Sequence, residues 1–373
     1  MKISDLGEKE LIKRLLKRSQ KFQSHPLFLN TFLDDKSSKS RSDDAALIDL
    51  GENYLVATSD MLMQSSHFPP QMTAHQIGKK VVTVNVSDIA AMGADTIGMI
   101  ISMGLPSSMT LDYFDQLVEG ILEACRDYGM VLIGGDTNES SELTLCGTCI
   151  GMVAKENVLM KEGIKPGDVV AVTGELGLAA AGFELLIHEL EGSDENTFDE
   201  DFEENSEEDF NSNDNNSLDV FKDTAIKHAL EPHARLEEGV LLGKTGYLTS
   251  ATDITDGLLS EVGELMDANP GIGMKLHQSR IPMDPELFKL ADALGKDPLE
   301  LALSYGEDFE LLLTVKKERF QELKKVVNEA FKGKVILHEI GMADSSGRIS
   351  MIDKDKKTKI LTSRGYQHLT DSS

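Results

Sequence analysis

The sequence predicts two packed units, an α+β unit followed by an α/β unit, and three features of the chain carry that expectation. A length of 373 residues with 40% hydrophobic content is enough for two cores. Apolar runs alternate with segments of helical period through the first part of the chain, the pattern of a sheet covered by helices. A Pro/Gly turn in Glu162-Gly-Ile-Lys-Pro-Gly-Asp168 then opens a second unit. The expected division is 1–155 and 156–373, with an acidic insertion at 191–219.

In chain order, Leu6 to Ser19 reads as a helix with Leu11, Ile12, Leu15 and Leu16 at helical spacing. A polar stretch, Leu33 to Arg41, follows. Strand-like runs are expected at Ala45 to Leu50, Tyr54 to Thr58, Val81 to Val86, Met99 to Met103, Val131 to Ile133 and Leu143 to Val153, with helices at Ala74 to Lys80 and Leu111 to Tyr128. Helices over one face leave the other open, a surface suited to pairing two copies of the chain. In the second unit, the strand Val169 to Thr173 leads through Thr173-Gly-Glu-Leu-Gly177 into an alanine-rich helix, Leu178 to Leu190. The glycines of that loop either admit a phosphate at the helix N-terminus or allow close packing.

From Glu191 to Asp219 there is no Lys or Arg, and Asp, Glu, Asn and Ser dominate. Such a segment buries too little apolar surface to offset its ordering entropy, so disorder is expected. It also lacks the spacing of a calcium loop. The net charge of -27 excludes a nucleic-acid or anionic-membrane surface, and any bound phosphate needs metal ions for compensation. Met1 to Gln20 lacks the apolar core of a signal peptide and no run is long enough to span a bilayer, so a soluble cytoplasmic protein is expected. Cys125, Cys146 and Cys149 give no disulfide framework, and the Cys146-Gly-Thr-Cys149 pair lies in a strand-like run whose alternation separates the two thiols.

Six aspartates stand out at strand-like runs: Asp44 in Ser-Asp-Asp-Ala-Ala, Asp60 in Ala-Thr-Ser-Asp-Met, Asp88 in Asn-Val-Ser-Asp-Ile-Ala-Ala-Met-Gly-Ala, Asp136 in Gly-Gly-Asp-Thr, and Asp253 and Asp256 in Asp-Ile-Thr-Asp-Gly-Leu. Hard oxygen ligands placed this way can gather several Mg²⁺ ions around phosphates. Taken singly, Asp44, Asp60 and Asp88 also fit helix caps. Gly239-Val-Leu-Leu-Gly243-Lys244-Thr245 imitates a phosphate loop, but it has three residues between its glycines where four are needed and follows a helical pattern. No H-x-x-x-H pair and no G-x-S-x-G elbow is present, which removes the usual zinc hydrolases and serine acyl transferases.

These strings, with His67-Phe68 and Gly306-Glu-Asp-Phe-Glu-Leu-Leu312, resemble the thiamine-monophosphate kinase family in order and over nearly the whole chain. That family lies within the aminoimidazole-ribonucleotide-synthetase-like superfamily of ATP-using enzymes. The resemblance implies a two-domain fold whose N-terminal sheets pair into a dimeric β-barrel, with ATP between that domain and a C-terminal α/β domain. It implies Mg²⁺ ligands at Asp44, Thr58, Ser59, Asp60, Asp88, Asp136, Asp253 and Asp256. ATP contacts would come from Gly135, Asp136, Lys161 and Thr255, and thiamine monophosphate contacts from His67, Glu307 and Tyr366. Lys161 stands where the family usually has Arg, Ser42 where it has Gly, and Tyr366 where Trp is common; no contact is carried over to Val118.

The implied chemistry is direct in-line phosphoryl transfer from ATP to thiamine monophosphate. An acceptor phosphate with a second pKa near 6 is largely ionised at pH 7, so no side chain is expected as general base. A purine-biosynthesis synthetase of the same superfamily is the enzymatic alternative, and a nucleotide-binding regulator without turnover the non-enzymatic one. A selenophosphate synthetase would carry a reactive Cys near its start, and a hydrogenase-maturation relative would end in one; here no Cys precedes Cys125 and the chain ends Thr370-Asp-Ser-Ser373.

Overall fold

The computed structural model describes residues 10–12, 14–15, 43–194, 212–363 and 365. Ser42 and Tyr366 therefore lie outside the described residues, as does most of the expected first helix, of which 10–12 and 14–15 are helical.

Five strands, β1 Ala46–Asp49, β2 Asn53–Met63, β3 Asp95–Leu105, β4 Val131–Glu139 and β5 Thr144–Ala154, form a sheet of order β1-β2-β5-β3-β4. All neighbours are antiparallel except β3 and β4. In β5, Leu145, Gly147, Cys149, Gly151 and Val153 are buried while the residues between them face outward, the period of two that fixes one face as the core side. Two helices, α1 Ala74–Ala91 and α2 Leu111–Asp127, pack together on that core side of the sheet. The opposite face is open and carries exposed Met61, Ile133 and Met152.

The expected strand Val81 to Val86 is instead the middle of α1, which runs unbroken from Ala74 to Ala91. A continuous apolar run does not separate a buried strand from a helix buried on nearly every side, and tertiary burial overrides the β-propensity of its valines. Val81, Val82, Val86, Ile89 and Ala90 are all 0% exposed. The helix start is set by a capping box, in which Thr73 accepts from the Gln76 main chain and Gln76 answers to the Thr73 main chain. Asp88 therefore projects from a helix rather than from a strand end.

The second sheet holds β6 Val169–Val172, β7 Leu248–Asp253, β8 Gly273–His277, β9 Leu311–Val315, β10 His338–Asp344, β11 Ile349–Ile352 and β12 Thr358–Leu361, in the order β12-β11-β8-β10-β6-β9-β7. It is mixed, with β8 and β11 parallel and the other pairs antiparallel. The helices of this part are α3 Leu178–Asp194, α4 Ser212–Leu230, α5 Leu236–Thr245, α6 Leu258–Ala268, α7 Pro285–Ala293, α8 Pro298–Ser304 and α9 Phe320–Ala330.

The acidic segment is not wholly irregular. Residues 191–194 complete α3 and 212–219 open α4; 195–211 lie outside the described residues. Buried Phe221, Ala225 and Ala229 anchor α4 downstream, so its first turns extend a helix whose packing is set further along the chain.

The two sheets meet along a continuous apolar core that unites Val86, Ile89 and Leu145 with Val169, Ala171, Leu311 and Leu313. The imitation phosphate loop sits in this seam as part of α5. A Cβ on Gly239 would stand 2.1 Å from the Ala90 carbonyl oxygen, and one on Gly243 2.4 Å from that of Asn157, so these glycines serve close packing. Next to them Arg235 pairs with Glu310 and Glu238, and Tyr128 stacks on His233. The seam brings β2 and α1 against the end of β7, which is what assembles the site.

Candidate active site

Asp44 leads into β1, Asp88 lies in the last turns of α1 and Asp253 ends β7; from three distant points of the chain, carboxylate oxygens of these residues come within 4.8 Å of one another. Thr58 on β2 donates its hydroxyl to Asp88 Oδ2, and Thr252 donates to Asp44 Oδ1 at 3.0 Å. Asp60 shares the Thr58 face of the strand, and its main-chain N–H donates to Asn85 Oδ1 at 3.2 Å. Asn85 is itself fixed by donating to the Val81 carbonyl, so a buried amide braces β2 against α1.

Lys161 brings a cation into the cluster. Its Nζ lies 2.7 Å from Asp44 Oδ1 and 2.7 Å from Glu264 Oε2, and the Lys161 main-chain N–H donates to Asp43 Oδ1 at 3.0 Å. Burial opposes its charge, but Asp44 and Glu264 outweigh it and hold the ammonium well above the ordinary lysine value.

The carboxylates are under-compensated. Burial, then the charge of Asp44, pushes Asp253 up to about 8. Burial and Asp44 push Asp43 up to about 7. Burial and then Asp60, Asp253 and Asp44 drive Asp88 well above the carboxylate range, and burial raises Asp60 and Asp44. Asp44 Oδ2 and Asp253 Oδ2 are buried without a hydrogen-bond partner. Orphaned hard oxygens and three carboxylates close together, offset by Lys161, are a donor set that fits divalent cations of the magnesium type.

A cavity of about 1360 Å³ opens from this cluster. That exceeds the roughly 300–1,000 Å³ of a pocket for one drug-sized ligand. Asp60, Asp88, Thr255 and Asp256 line it beside apolar Phe68, Phe183, Leu186 and Ile187. His67 lines it too, from the single helical turn Gln64–His67 that follows β2, with Nδ1 taking the Met63 N–H at 3.1 Å. Glu307 reaches it from the loop before β9 in a left-handed conformation, φ 65°. Gly306 beside it is required: a Cβ there would fall 1.8 Å from the Thr255 carbonyl oxygen.

Some expected residues stay apart. Alternation along β2 turns the Ser59 hydroxyl to the other face, where it donates to the Gly147 carbonyl at 2.8 Å and meets Thr148 Oγ1 at 2.9 Å, so only its main chain is available to the cluster. Gly135 and Asp136 are exposed on the edge strand β4, with Asn138 donating to Asp136 Oδ2 at 3.2 Å. In register, Gly135 pairs with Ile101, Ile101 with Gly147 and Gly147 with Asp60, which puts β4 three strand spacings, about 14 Å, from Asp60 along the sheet. The N-terminus of α3 is filled from within: Gly177 N–H donates to the Asp308 carboxylate at 3.1 and 3.3 Å. Tyr366 lies outside the described residues.

Two family models match the chain, that of the AIR synthase related protein N-terminal domain over residues 42–153 and that of the corresponding C-terminal domain over 165–354. Thiamine-monophosphate kinase of Pyrococcus horikoshii is 30% identical over 341 residues, 91% of this chain and 94% of the relative. That of Buchnera aphidicola subsp. Schizaphis graminum is 30% identical over 371 residues, 98% and 99%. The chain belongs to the thiamine-monophosphate kinase family. Among solved structures, AaThiL complexed with AMPPCP and TMP superposes with a TM-score of 0.76 at 25% identity, covering 99% of each chain. The two-unit architecture is thus that of the AIR synthase related proteins and of this kinase family.

The sequence reading missed Lys80, Asn85, Gln71 and Thr252. Asn85 was hidden by the strand assignment, and Lys80 by its place as the last residue of the shorter helix expected at Ala74 to Lys80; at helical spacing both fall on sides of α1 that pack, and a polar residue in a buried run is the signal that could have found them. Gln71 donates Nε2 to the Leu186 carbonyl at 2.9 Å, leaving Oε1 buried and unpartnered at the cavity wall.

Proposed function

We propose that this chain transfers the terminal phosphoryl group of ATP to thiamine monophosphate, giving ADP and thiamine diphosphate. The observation that carries this reading is the cluster of Asp44, Asp88 and Asp253 at a cavity whose farther wall is apolar, in a chain that matches kinases of that name almost from end to end. Asp44, Thr58, Asp60, Asp88, Asp253 and Asp256 would hold Mg²⁺, with Ser59 through its main chain. Bound Mg²⁺ would supply the positive charge that lets two phosphate groups approach and would stabilise charge on the transferring group.

The protein's own residues do the positioning. Thr58 and Thr252 orient the Asp88 and Asp44 carboxylates by donating to them, and Lys161 fixes Asp44 from the segment before β6. Thr255 and Lys161 stand for the nucleotide, His67 and Glu307 for thiamine monophosphate, and Tyr366 is assigned by resemblance. The apolar wall of Phe68, Phe183 and Leu186 suits an aromatic heterocycle. The ionised acceptor needs no general base, and the transfer is read as direct from ATP to that acceptor, without a phospho-enzyme.

Gly135 and Asp136 on the edge strand fit a homodimer joined through the open sheet face, which would bring β4 toward a site it does not reach alone. The three free cysteines suit a reducing, cytoplasmic compartment, and among the described residues no helix is long and apolar enough to cross a membrane.

The test is formation of ADP and thiamine diphosphate by the purified chain with Mg²⁺-ATP and thiamine monophosphate, beside Asp60→Asn. Product from the parent at a rate at least roughly a hundredfold above the variant is expected. A parent that binds ATP yet forms no thiamine diphosphate would refute the assignment.

A further inference from the structure

Lys80 is 1% exposed in its side chain and projects from α1 into the seam between the two sheets. Its Nζ lies 2.8 Å from Glu307 Oε1, 2.6 Å from Glu307 Oε2 and 3.1 Å from the His67 carbonyl oxygen, over the face of the Phe183 ring at 5.5 Å from its centroid. An ammonium has three hydrogens, and these three acceptors use them all. Lys80 therefore has no donor left for a ligand, and acts on one only through the groups it holds.

Those groups come from opposite sides of the seam: His67 follows β2, and Glu307 precedes β9. A charge this deeply buried cannot lose its partner cheaply, because turning Glu307 away would leave the ammonium uncompensated. Glu307 is also held at its main chain, where its N–H donates to the Thr255 carbonyl at 2.8 Å, in the loop that follows Asp253 and carries Asp256. Phe309 N–H ties the same loop down again by donating to the Ile254 carbonyl at 3.0 Å. With 29% of its side chain exposed, the Glu307 carboxylate still offers lone pairs to the cavity.

Lys80, Val84 and Asp88 are spaced by four residues and all line the cavity. Eight residues of helix span about 12 Å. One rigid element thus carries Asp88 of the carboxylate cluster at one place and the anchor of Glu307 and His67 about 12 Å away.

We propose that Lys80 is a substrate-positioning residue: by tying His67 to Glu307 across the seam, it fixes where the non-phosphate end of the substrate sits relative to the carboxylates, and so the length of substrate accepted. This rests on the kinase reading above, in which His67 and Glu307 meet thiamine monophosphate.

The experiment compares the parent chain with Lys80→Met, Lys80→Arg, Glu307→Gln and the Lys80→Met/Glu307→Gln double variant, measuring kcat and the KM for thiamine monophosphate and for ATP. Lys80→Met is expected to raise the KM for thiamine monophosphate at least tenfold while that for ATP stays within twofold. The double variant should be less than twofold worse than the poorer single one, since both break the same unit. Lys80→Arg keeps the charge but not the three-way donor geometry, so an intermediate rise is expected. If Lys80→Met does not fold, Lys80→Arg decides in the same way. A lowered Tm with both KM values unchanged, or equal rises in both, would reduce Lys80 to a structural residue and overturn the proposal. A parent that makes no thiamine diphosphate overturns the kinase reading and this inference together; an active parent with unresponsive variants overturns this inference alone.

Discussion

Asp253 ends β7 with a carboxylate that burial and Asp44 push up to about 8 from an ordinary 3.8, and one of its oxygens has no partner. The folded, metal-free protein therefore retains a proton there that the unfolded chain has released. The sign follows: this contribution to stability is complete below about pH 4 and is lost as pH rises toward 8. Asp43, pushed up to about 7, acts in the same direction. The Tm of the metal-free protein is thus expected to fall between about pH 6 and pH 8, and Mg²⁺ to flatten that fall. Asp253→Asn removes the buried charge, so at about pH 8 it should raise the metal-free Tm, abolish the Mg²⁺ response and lower turnover roughly a hundredfold or more. Thermal melts with and without Mg²⁺ across that pH range check this. A Tm that rises with pH, or a variant that answers to Mg²⁺ like the parent, would count against the metal-site reading.

Among the elements, α1 does most to shape the site, and its start depends on Thr73. Replacing the cap in Thr73→Ala should cost about 1 kcal/mol in urea unfolding, with the midpoint shifted and the slope unchanged. No loss of stability would mean that burial of the helix alone fixes its start. This helix also marks the limit of what could be read from residues in order. The aspartate strings, the alternating strand Leu143 to Val153 and the turn before β6 were legible because each signal is local. Val81 to Val86 was not, because a helix enclosed by the sheet, α2 and α5 has no polar side to show its period. The same limit hid the partners of the site. Asp44, Asp88 and Asp253 could be nominated from their strings, but the pairing of Lys161 with Asp44, of Thr58 with Asp88 and of Lys80 with Glu307 joins residues 30 to 227 positions apart. Ser59 shows the converse case, since the strand that brings Thr58 to Asp88 turns the next side chain away.

At the scale of the whole molecule, the open sheet face is the surface that would be joined in a homodimer. Ile133 is 51% exposed and Met61 58%, and a charge placed there should weaken association while leaving each subunit's core intact. Ile133→Glu is expected to halve the mass seen by sedimentation at micromolar concentration; an unaltered mass would place the contact elsewhere. The spacing of Lys80 and Asp88 on α1 has a different consequence, for how this chain can change its length. Losing one residue between them would rotate Lys80 by about 100° around the helix relative to Asp88, out of the cavity and into the packing of the seam. A substitution within 81–87 keeps that phase, but an insertion or deletion there shifts it and parts the two ends of the site at once. The long acidic stretch, 191–219, lies apart from that helix, from the end of α3 into the start of α4.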